Sequence, residues 1–387
     1  MSPFKPSPAD QRLIDDAARY GLTVTAKQLA VWRRAGLLPP NVTMSLGRGR
    51  GSASRPLEEA FVLTRWLARN AKRGARPAHL GLLAFSDGLP VPEDTVRGAF
   101  RRELNGFTLF AETVTPPGEA VIGPEDAEAR AGRIADRQVD SGRLMRLVPT
   151  AIRRVDERIA KAVRTRGLEW PPRELVELDR NPDPSLLSAG EATSFAVNAV
   201  LLGGPAVTLQ GIGDVVRAVQ APGPNPFASL AEFTFDDVPD TAPAVFGSDG
   251  GFALLPEGDV RDLMAQIVDA SSLEDLRLSW RGAADLREWA VDLYDRVQSE
   301  LAHDDVGEAV AEWVRARGML AGMFLTVGLG DRRWGTSAQA GTTLSLLFMR
   351  TMLQAVDAAV PGCQWELLTE EGMLPPALRS FLNPQAA

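Results

Sequence analysis

Histidine and cysteine, which often act as catalytic bases, nucleophiles and metal ligands, are scarce in this 387-residue sequence, which has two histidines and one cysteine. A catalytic site needs a nucleophile, a base or a metal-binding set within reach of one another. His79 lies in a basic stretch and His303 begins the acidic run HDDVGE, so surface or helix-capping roles are expected for both. Cys363 has no histidine nearby, and we expect a buried apolar thiol. The sequence therefore predicts no enzyme, no metal site and no cofactor.

Two glycine-containing stretches are candidate anion sites. Gly211-Ile212-Gly213 has the first two glycines of a phosphate-binding loop, but neither the third glycine nor a preceding strand. The run VGLGDRRWGTS places Asp331, Arg332 and Arg333 after a pair of glycines. A turn between two helices is the preferred interpretation of this run, and anion binding is the alternative.

The amino-terminal part of the chain is rich in cationic hydrogen-bond donors. Residues 1–105 contain 17 Lys and Arg against 9 Asp and Glu, a balance of +8, whereas the whole chain carries −8 and the remainder therefore −16. A basic unit attached to an acidic body is typical of a nucleic-acid-binding arm. The donors that we expect to contact DNA are Lys27, Gln28, Arg33, Arg34, Arg48, Arg50 and Arg55.

The run TVTAKQLAVWRRAGLLPP predicts the short helix that presents the first four of these donors. Thr25 and Gln28 have the spacing of a capping box, in which each side chain bonds the other residue's amide. Leu29 and Trp32 share a face that should pack on the Leu13 and Ala17 side of a first helix over residues 8–20. This packing leaves Lys27, Gln28, Val31 and Arg34 towards solvent and Arg33 at the edge, an arrangement that suits the major groove of DNA.

The next run, NVTMSLGRGRGSASRP, predicts a basic loop. Glycines at 47, 49 and 51 permit positive φ and a close backbone approach to phosphate. Arg48, Arg50 and Arg55 would supply bidentate donors to phosphate or to a narrow minor groove. A flexible basic linker is the alternative. Two helices should follow, the first with Leu57, Phe61, Leu63, Trp66 and Leu67 mostly on one side.

The order of these parts resembles the amino-terminal domain of the MerR family of transcription regulators. The end of its recognition helix corresponds to AVWRRAGLLPP, the wing to NVTMSLGRGRGSASRP and the helix pair to LEEAFVLTRWLARNAKRGARPAHLGLLAF. The resemblance covers roughly residues 8–90. It implies a winged helix-turn-helix DNA-binding domain over 1–90. The helical periodicity of the remaining chain predicts a mainly α fold, with a connecting segment over 91–125 and a helical effector or oligomerisation domain over 126–387.

The acidic body is predicted to be all-helical and to form one or two subdomains. Ile152, Val155, Ile159 and Val163 form a stripe that predicts core packing, with a dimer seam as the alternative. Trp280, Trp289 and Trp313 lie at helical spacing, where core positions are preferred over the lining of a ligand cavity. The body is expected to provide dimerisation, effector sensing through a small molecule or protein, or contact with a partner protein.

The expected function is that of a cytoplasmic transcription regulator that binds double-stranded DNA, in the form of a homo-oligomer such as a homodimer. No run of about 18 uncharged apolar residues exists, and the start lacks a secretory signal, so no membrane span is expected. High Arg, Ala and Gly usage favours a GC-rich bacterial or phage genome. The alternatives are a DNA-binding accessory factor of a phage or mobile element, excisionase-like or packaging-like, and a helical protein-interaction scaffold.

Overall fold

A computed structural model of the chain is mainly helical and describes residues 6–45, 52–72, 75–107, 124–140, 148–169, 171–179, 181, 187–204, 207–219, 223–231, 258–303, 305–330, 333–359 and 372–382. These residues contain seventeen helices and one antiparallel hairpin. The elements are α1 Pro8–Arg19, α2 Ala26–Arg34, β1 Val42–Ser45, β2 Ser52–Arg55, α3 Glu58–Asn70, α4 Pro77–Ser86, α5 Glu93–Phe107, α6 Pro124–Asp140, α7 Thr150–Thr165, α8 Arg173–Leu178, α9 Ala189–Leu202, α10 Leu209–Val219, α11 Pro226–Ala231, α12 Val260–Ala270, α13 Leu273–Ala302, α14 Glu308–Gly318, α15 Ala321–Gly330, α16 Thr336–Ala359 and α17 Pro376–Leu382. Among the described helices, none combines the length and apolar character that a membrane span requires.

The chain divides into two compact units. The amino-terminal unit consists of residues 1–107, 268–280 and 335–341, and the carboxy-terminal unit of residues 108–267, 281–334 and 342–387. The predicted domain boundary at residue 90 falls inside the first unit, because α5 packs against α4. Arg97 also donates to the backbone oxygens of Val268 and Ser271, which ties a distant segment to the same unit.

In the amino-terminal unit, α1 packs on α2, α3 and β2. Leu13 and Ala17 of α1 and Leu29 and Trp32 of α2 are buried, as the sequence predicts. The α3 face differs from the prediction: its buried residues are Ala60, Leu63, Thr64 and Leu67. The predicted set was spread more widely around α3 than the buried face of the helix, and Leu57 lies before the first turn, 37% exposed.

The carboxy-terminal unit has a core built on α7. Ile152, Val155, Ile159 and Val163 are buried together with residues of α13, α14 and α15. The predicted core role of the stripe is confirmed, and the alternative of a dimer seam is wrong for these side chains, because the chain's own helices cover them.

Both glycine-containing stretches have packing roles. Gly211 lies within α10, where a Cβ atom would overlap the ring of Phe195, so the glycine permits close packing of side chain on backbone. Gly328 lies in α15, where a Cβ atom would be 2.5 Å from the Cβ of Ala290. Residues 333–335 connect α15 to α16, and the predicted turn between helices is confirmed for these residues. Asp331 and Arg332 lie outside the described residues.

Candidate nucleic-acid interface

The outward face of α2 carries two cationic side chains. Lys27, Gln28 and Arg34 are exposed, and Val31 between them is 47% exposed. Lys27, Val31 and Arg34 are separated by four and three residues, so they lie in one stripe along the helix. The stripe offers an ammonium group, an apolar patch and a guanidinium group, which are the chemical types that contact phosphates, thymine methyl groups and base edges in a major groove.

Local hydrogen bonds begin α2 at a defined residue. The Gln28 amide donates to Thr25 Oγ1 at 3.2 Å, and the Thr25 amide donates to Gln28 Oε1 at 2.8 Å, which confirms the predicted capping box. The oxygen of the Gln28 side chain is therefore engaged in the cap. The side-chain amide nitrogen of Gln28 therefore remains available to donate a hydrogen bond to an acceptor on DNA.

Arg33 is placed differently from its neighbour Arg34. Its guanidinium forms an ion pair with Asp10 of α1 and donates to Asn41 Oδ1 at 3.1 Å, and its side chain is only 20% exposed. This geometry favours a structural role for Arg33 over the predicted DNA contact. Arg33 joins α2 both to α1 and to the residue that precedes the hairpin, so it positions the helix.

A glycine-based cap ends α2. Gly36 has φ of 75°, its amide donates to Arg33 O at 2.9 Å, and the amide of Leu37 donates to Trp32 O at 2.9 Å. These bonds constitute a Schellman motif, which satisfies carbonyls of the last turn. Thr95 Oγ1 donates to Gly36 O at 2.7 Å, and Leu37 is buried. The Gly-Leu-Leu sequence therefore anchors the carboxyl end of α2 to α5.

The predicted loop after α2 has a hairpin at its base. Val42 pairs with Arg55 and Ser45 with Ser52, in an antiparallel register. Arg55 is exposed at the end of β2. Arg48 and Arg50, together with the glycines at 47, 49 and 51, lie outside the described residues.

Lys27, Arg34 and Arg55 form no ion pair with any residue in the described part of the chain. Other arginines of the same unit are paired internally: Arg65 with Asp16 at 2.8 Å, and Arg97 and Arg101 with Glu93 and Asp269, respectively. Arg12, Arg19, Arg69, Lys72, Arg76 and Arg102 of this unit are likewise exposed and form no ion pair in the described part of the chain, so Lys27, Arg34 and Arg55 are distinguished by their place on α2 and the hairpin. Three unpaired cations are suited to an anionic surface, since they need not break an existing ion pair to bind phosphate.

Each of the two histidines has a hydrogen-bond partner within the chain. His79 Nε2 lies 2.9 Å from Thr336 Oγ1, and His303 Nδ1 lies 2.8 Å from Ser299 O in the helix preceding it. Cys363 lies outside the described residues. Within the described residues, no group of three or more His, Cys, Asp or Glu side chains is arranged to hold a metal ion.

A buried ionic network in the carboxy-terminal unit was not found by sequence reasoning. The carboxylate of Asp179 accepts hydrogen bonds from both terminal nitrogens of Arg217, each at 3.0 Å. The side chain of Asp179 is 0% exposed and that of Arg217 is 2% exposed. Burial by itself raises the pKa of Asp179. Donation from Arg217, Ser229, Asn225 and Asn181 outweighs burial and lowers the pKa to about 2.

A second buried pair lies in the α7 core. Trp313 Nε1 donates to Asp156 Oδ1 at 2.8 Å, and Arg317 donates to Asp156 Oδ2 at 3.2 Å. Burial raises the pKa of Asp156 despite these donors, and burial lowers the pKa of Arg317. Trp313 and Trp280 are buried, so the predicted core role is confirmed for both.

Sequence reasoning also missed the residues that hold α2 in place. Asp10, Asn41 and Thr95 each bond a residue in or next to α2. Their separations along the chain are 23, 8 and 59 residues, so no helical or strand period connects them to their partners.

Comparisons of the chain with protein-family models, with curated proteins and with solved structures find no match.

Proposed function

We propose that the amino-terminal unit binds double-stranded DNA sequence-specifically and that the protein is a transcription regulator. The observation that supports this proposal is the outward stripe of Lys27, Val31 and Arg34 on a helix capped at both ends. In a winged helix-turn-helix of the MerR type, α2 would be the recognition helix and the 42–55 hairpin the wing. The proposed contacts are Lys27, Gln28, Arg34 and Arg55, together with Arg48 and Arg50.

Each outward donor has a separate role in this proposal. Arg34 would donate to base edges in the major groove, where a bidentate guanidinium distinguishes guanine from other bases. Lys27 and Arg55 would contact phosphates, which fix the position of the protein without selecting a sequence. The helix is suited to this task because its rotamer-rich side chains project from a backbone that is fixed at both ends.

Selection of bound duplexes from a random pool tests the proposal. The wild-type protein should enrich one motif. Arg34→Ala should relax one position of the motif, a loss of about 1–3 kcal/mol of discrimination, whereas Arg55→Ala should weaken all duplexes alike. Arg154→Ala is the matched control, because Arg154 is exposed on α7 of the other unit. Absence of an enriched motif for the wild type would contradict sequence-specific binding.

Two further functions remain as alternatives from the sequence. An accessory factor of a phage or mobile element would use the same face to bend or mark DNA, and footprinting would then show arrays near recombination or packaging sites. A regulator should instead protect an operator near a promoter. A protein-interaction scaffold would show little dependence of DNA affinity on salt.

Self-association and effector binding belong to the same proposal. The α7 stripe lies within the core, so a homo-oligomer would need another surface. We place the protein in the cytoplasm, where its DNA would be.

A further inference from the structure

A cleft of about 270 Å³ opens in the carboxy-terminal unit. Its walls come from α13, α14, α15 and the segment that leads into α17. The apolar part is formed by Trp289, Ala316, Ala321, Leu374, Pro375 and Pro376. The polar part contains two carboxylates, Glu308 and Glu312, and two guanidinium groups, Arg315 and Arg379. A volume slightly below that of drug-sized pockets fits a small metabolite.

The cleft has a fixed aromatic wall. Trp289 Nε1 donates to Glu312 Oε1 at 3.4 Å, and Glu312 Oε2 accepts from Arg296 at 2.8 Å. Glu312 is therefore engaged in holding the indole and is neutralised by Arg296. The amide of Ala321 donates to Met373 O at 2.8 Å, which ties the 372–376 segment to the start of α15.

Two opposite charges of the cleft have no ion-pair partner among the described residues. Glu308 lies in the first turn of α14, and Arg379 lies in α17; both are exposed. One guanidinium and one carboxylate at a cleft with an indole wall complement a molecule that carries both a carboxylate and an ammonium group on a flat apolar body.

We propose that this cleft binds a small amphoteric molecule of the size and character of an aromatic amino acid. Its carboxylate would pair with Arg379, its ammonium group with Glu308, and its apolar body would lie against Trp289. This site is independent of the DNA-binding proposal, because all of its residues lie in the other unit.

Calorimetric titration of the full-length protein with phenylalanine and two truncated analogues tests the proposal. Phenylalanine should bind with a dissociation constant on the order of 1 mM. 3-Phenylpropionate, which lacks the amine, and phenethylamine, which lacks the carboxylate, should each bind at least about fivefold more weakly. Glycine, which lacks the apolar body, should not bind measurably.

Substitutions of the two charged cleft residues test whether phenylalanine binds at this cleft. Arg379→Gln should weaken phenylalanine binding about fivefold and leave phenethylamine binding unchanged, and Glu308→Gln should affect phenylalanine but not 3-phenylpropionate. Arg281→Gln and Glu288→Gln, exposed positions on α13 outside the cleft, are the matched controls. No heat of binding with phenylalanine, equal affinity for the three compounds, or unchanged affinity in both cleft variants would overturn the proposal.

Discussion

Arg33 and Arg34 are adjacent in sequence and have opposite surroundings. Arg33 is paired with Asp10, whose side chain is 11% exposed, whereas Arg34 projects to solvent. Composition cannot distinguish them, because both are cations in the last turn of the same helix. Their difference comes from a partner on α1, so it is a tertiary property.

We predict that Arg33→Met destabilises the protein and that Arg34→Met does not. Removal of the Arg33 guanidinium leaves Asp10 largely buried without its cation, which should cost about 1–2 kcal/mol of the free energy of unfolding. Because Arg34 is exposed, Arg34→Met should change the free energy of unfolding by less than about 0.5 kcal/mol. Denaturant unfolding measures both values, and a loss below about 0.5 kcal/mol for Arg33→Met would contradict its structural role.

Asp179 predicts a specific acid sensitivity. Its pKa falls from 3.8 to about 2 on folding, so the unfolded state binds the proton more readily and acid favours unfolding. The stabilisation is present above about pH 4 and is lost as the pH falls towards 2. Its size is about 2 kcal/mol, from the difference between the two pKa values.

Asp179→Asn provides the comparison. The substitution should destabilise the protein at pH 6, because it leaves Arg217 buried without its carboxylate. The difference in unfolding free energy between wild type and variant should narrow by about 2 kcal/mol between pH 5 and pH 2. The other carboxylates titrate in both proteins, so their contributions to the unfolding free energy cancel in this difference. A difference that stays constant with pH would contradict the lowered pKa of Asp179.

At the scale of elements, two helix ends that share a Gly-Leu pair have different surroundings. Gly21 ends α1 and Gly36 ends α2, each at positive φ and each followed by leucine. A Cβ atom at Gly21 would meet nothing within 4 Å, whereas at Gly36 it would be 2.5 Å from Thr95 Oγ1. Alanine at Gly21 therefore measures the cost of the left-handed backbone conformation alone, and alanine at Gly36 measures that cost together with the cost of the contact with Thr95.

We predict that Gly36→Ala is more destabilising than Gly21→Ala. Both alanines bear the left-handed backbone penalty of about 1 kcal/mol, and Gly36→Ala adds a steric conflict of about 1–2 kcal/mol. In a Thr95→Ala background the conflicting Oγ1 is absent, so the added cost of Gly36→Ala should approach that of Gly21→Ala. Thermal unfolding of the single and double variants tests this, and an unrelieved cost in the double variant would argue against contact with Thr95.

Structural features that depend on neighbouring residues in the sequence could be predicted, whereas features that depend on distant segments could not. Helix α1, the Thr25 capping box and the α7 core stripe could be predicted, because each depends on residues within about four positions. The buried face of α3 was predicted only in part. Its period is local, but the neighbouring elements decide which of several apolar residues they cover.

Features that depend on distant segments were not predicted. Residues 268–280 and 335–341 join the amino-terminal unit, although nothing in their composition separates them from the surrounding helices. The Asp179–Arg217 pair and the Trp289 cleft likewise combine residues from several elements. Trp289 combines the two interpretations that the sequence offers, because it packs against the core of the carboxy-terminal unit and also lines the cleft.

At the scale of the whole molecule, the division of charge governs how the protein should respond to ionic strength. Residues 1–105 carry +8 within a chain of net charge −8. A polyanion should therefore be attracted by the amino-terminal part and repelled by the rest. The affinity for DNA must therefore come from phosphate neutralisation by the cations of the amino-terminal unit, since the net charge of the chain opposes binding.

We predict a steep salt dependence of DNA affinity. Four cations assigned to phosphates, Lys27, Arg48, Arg50 and Arg55, would displace counterions from the DNA, which gives a slope of about −3.6 in a plot of log affinity against log salt concentration. Affinity should then fall roughly 150-fold between 50 and 200 mM salt. Arg55→Ala should reduce the steepness by about 1, whereas Arg154→Ala should leave it unchanged. A slope near zero would exclude phosphate neutralisation and favour the protein-interaction scaffold.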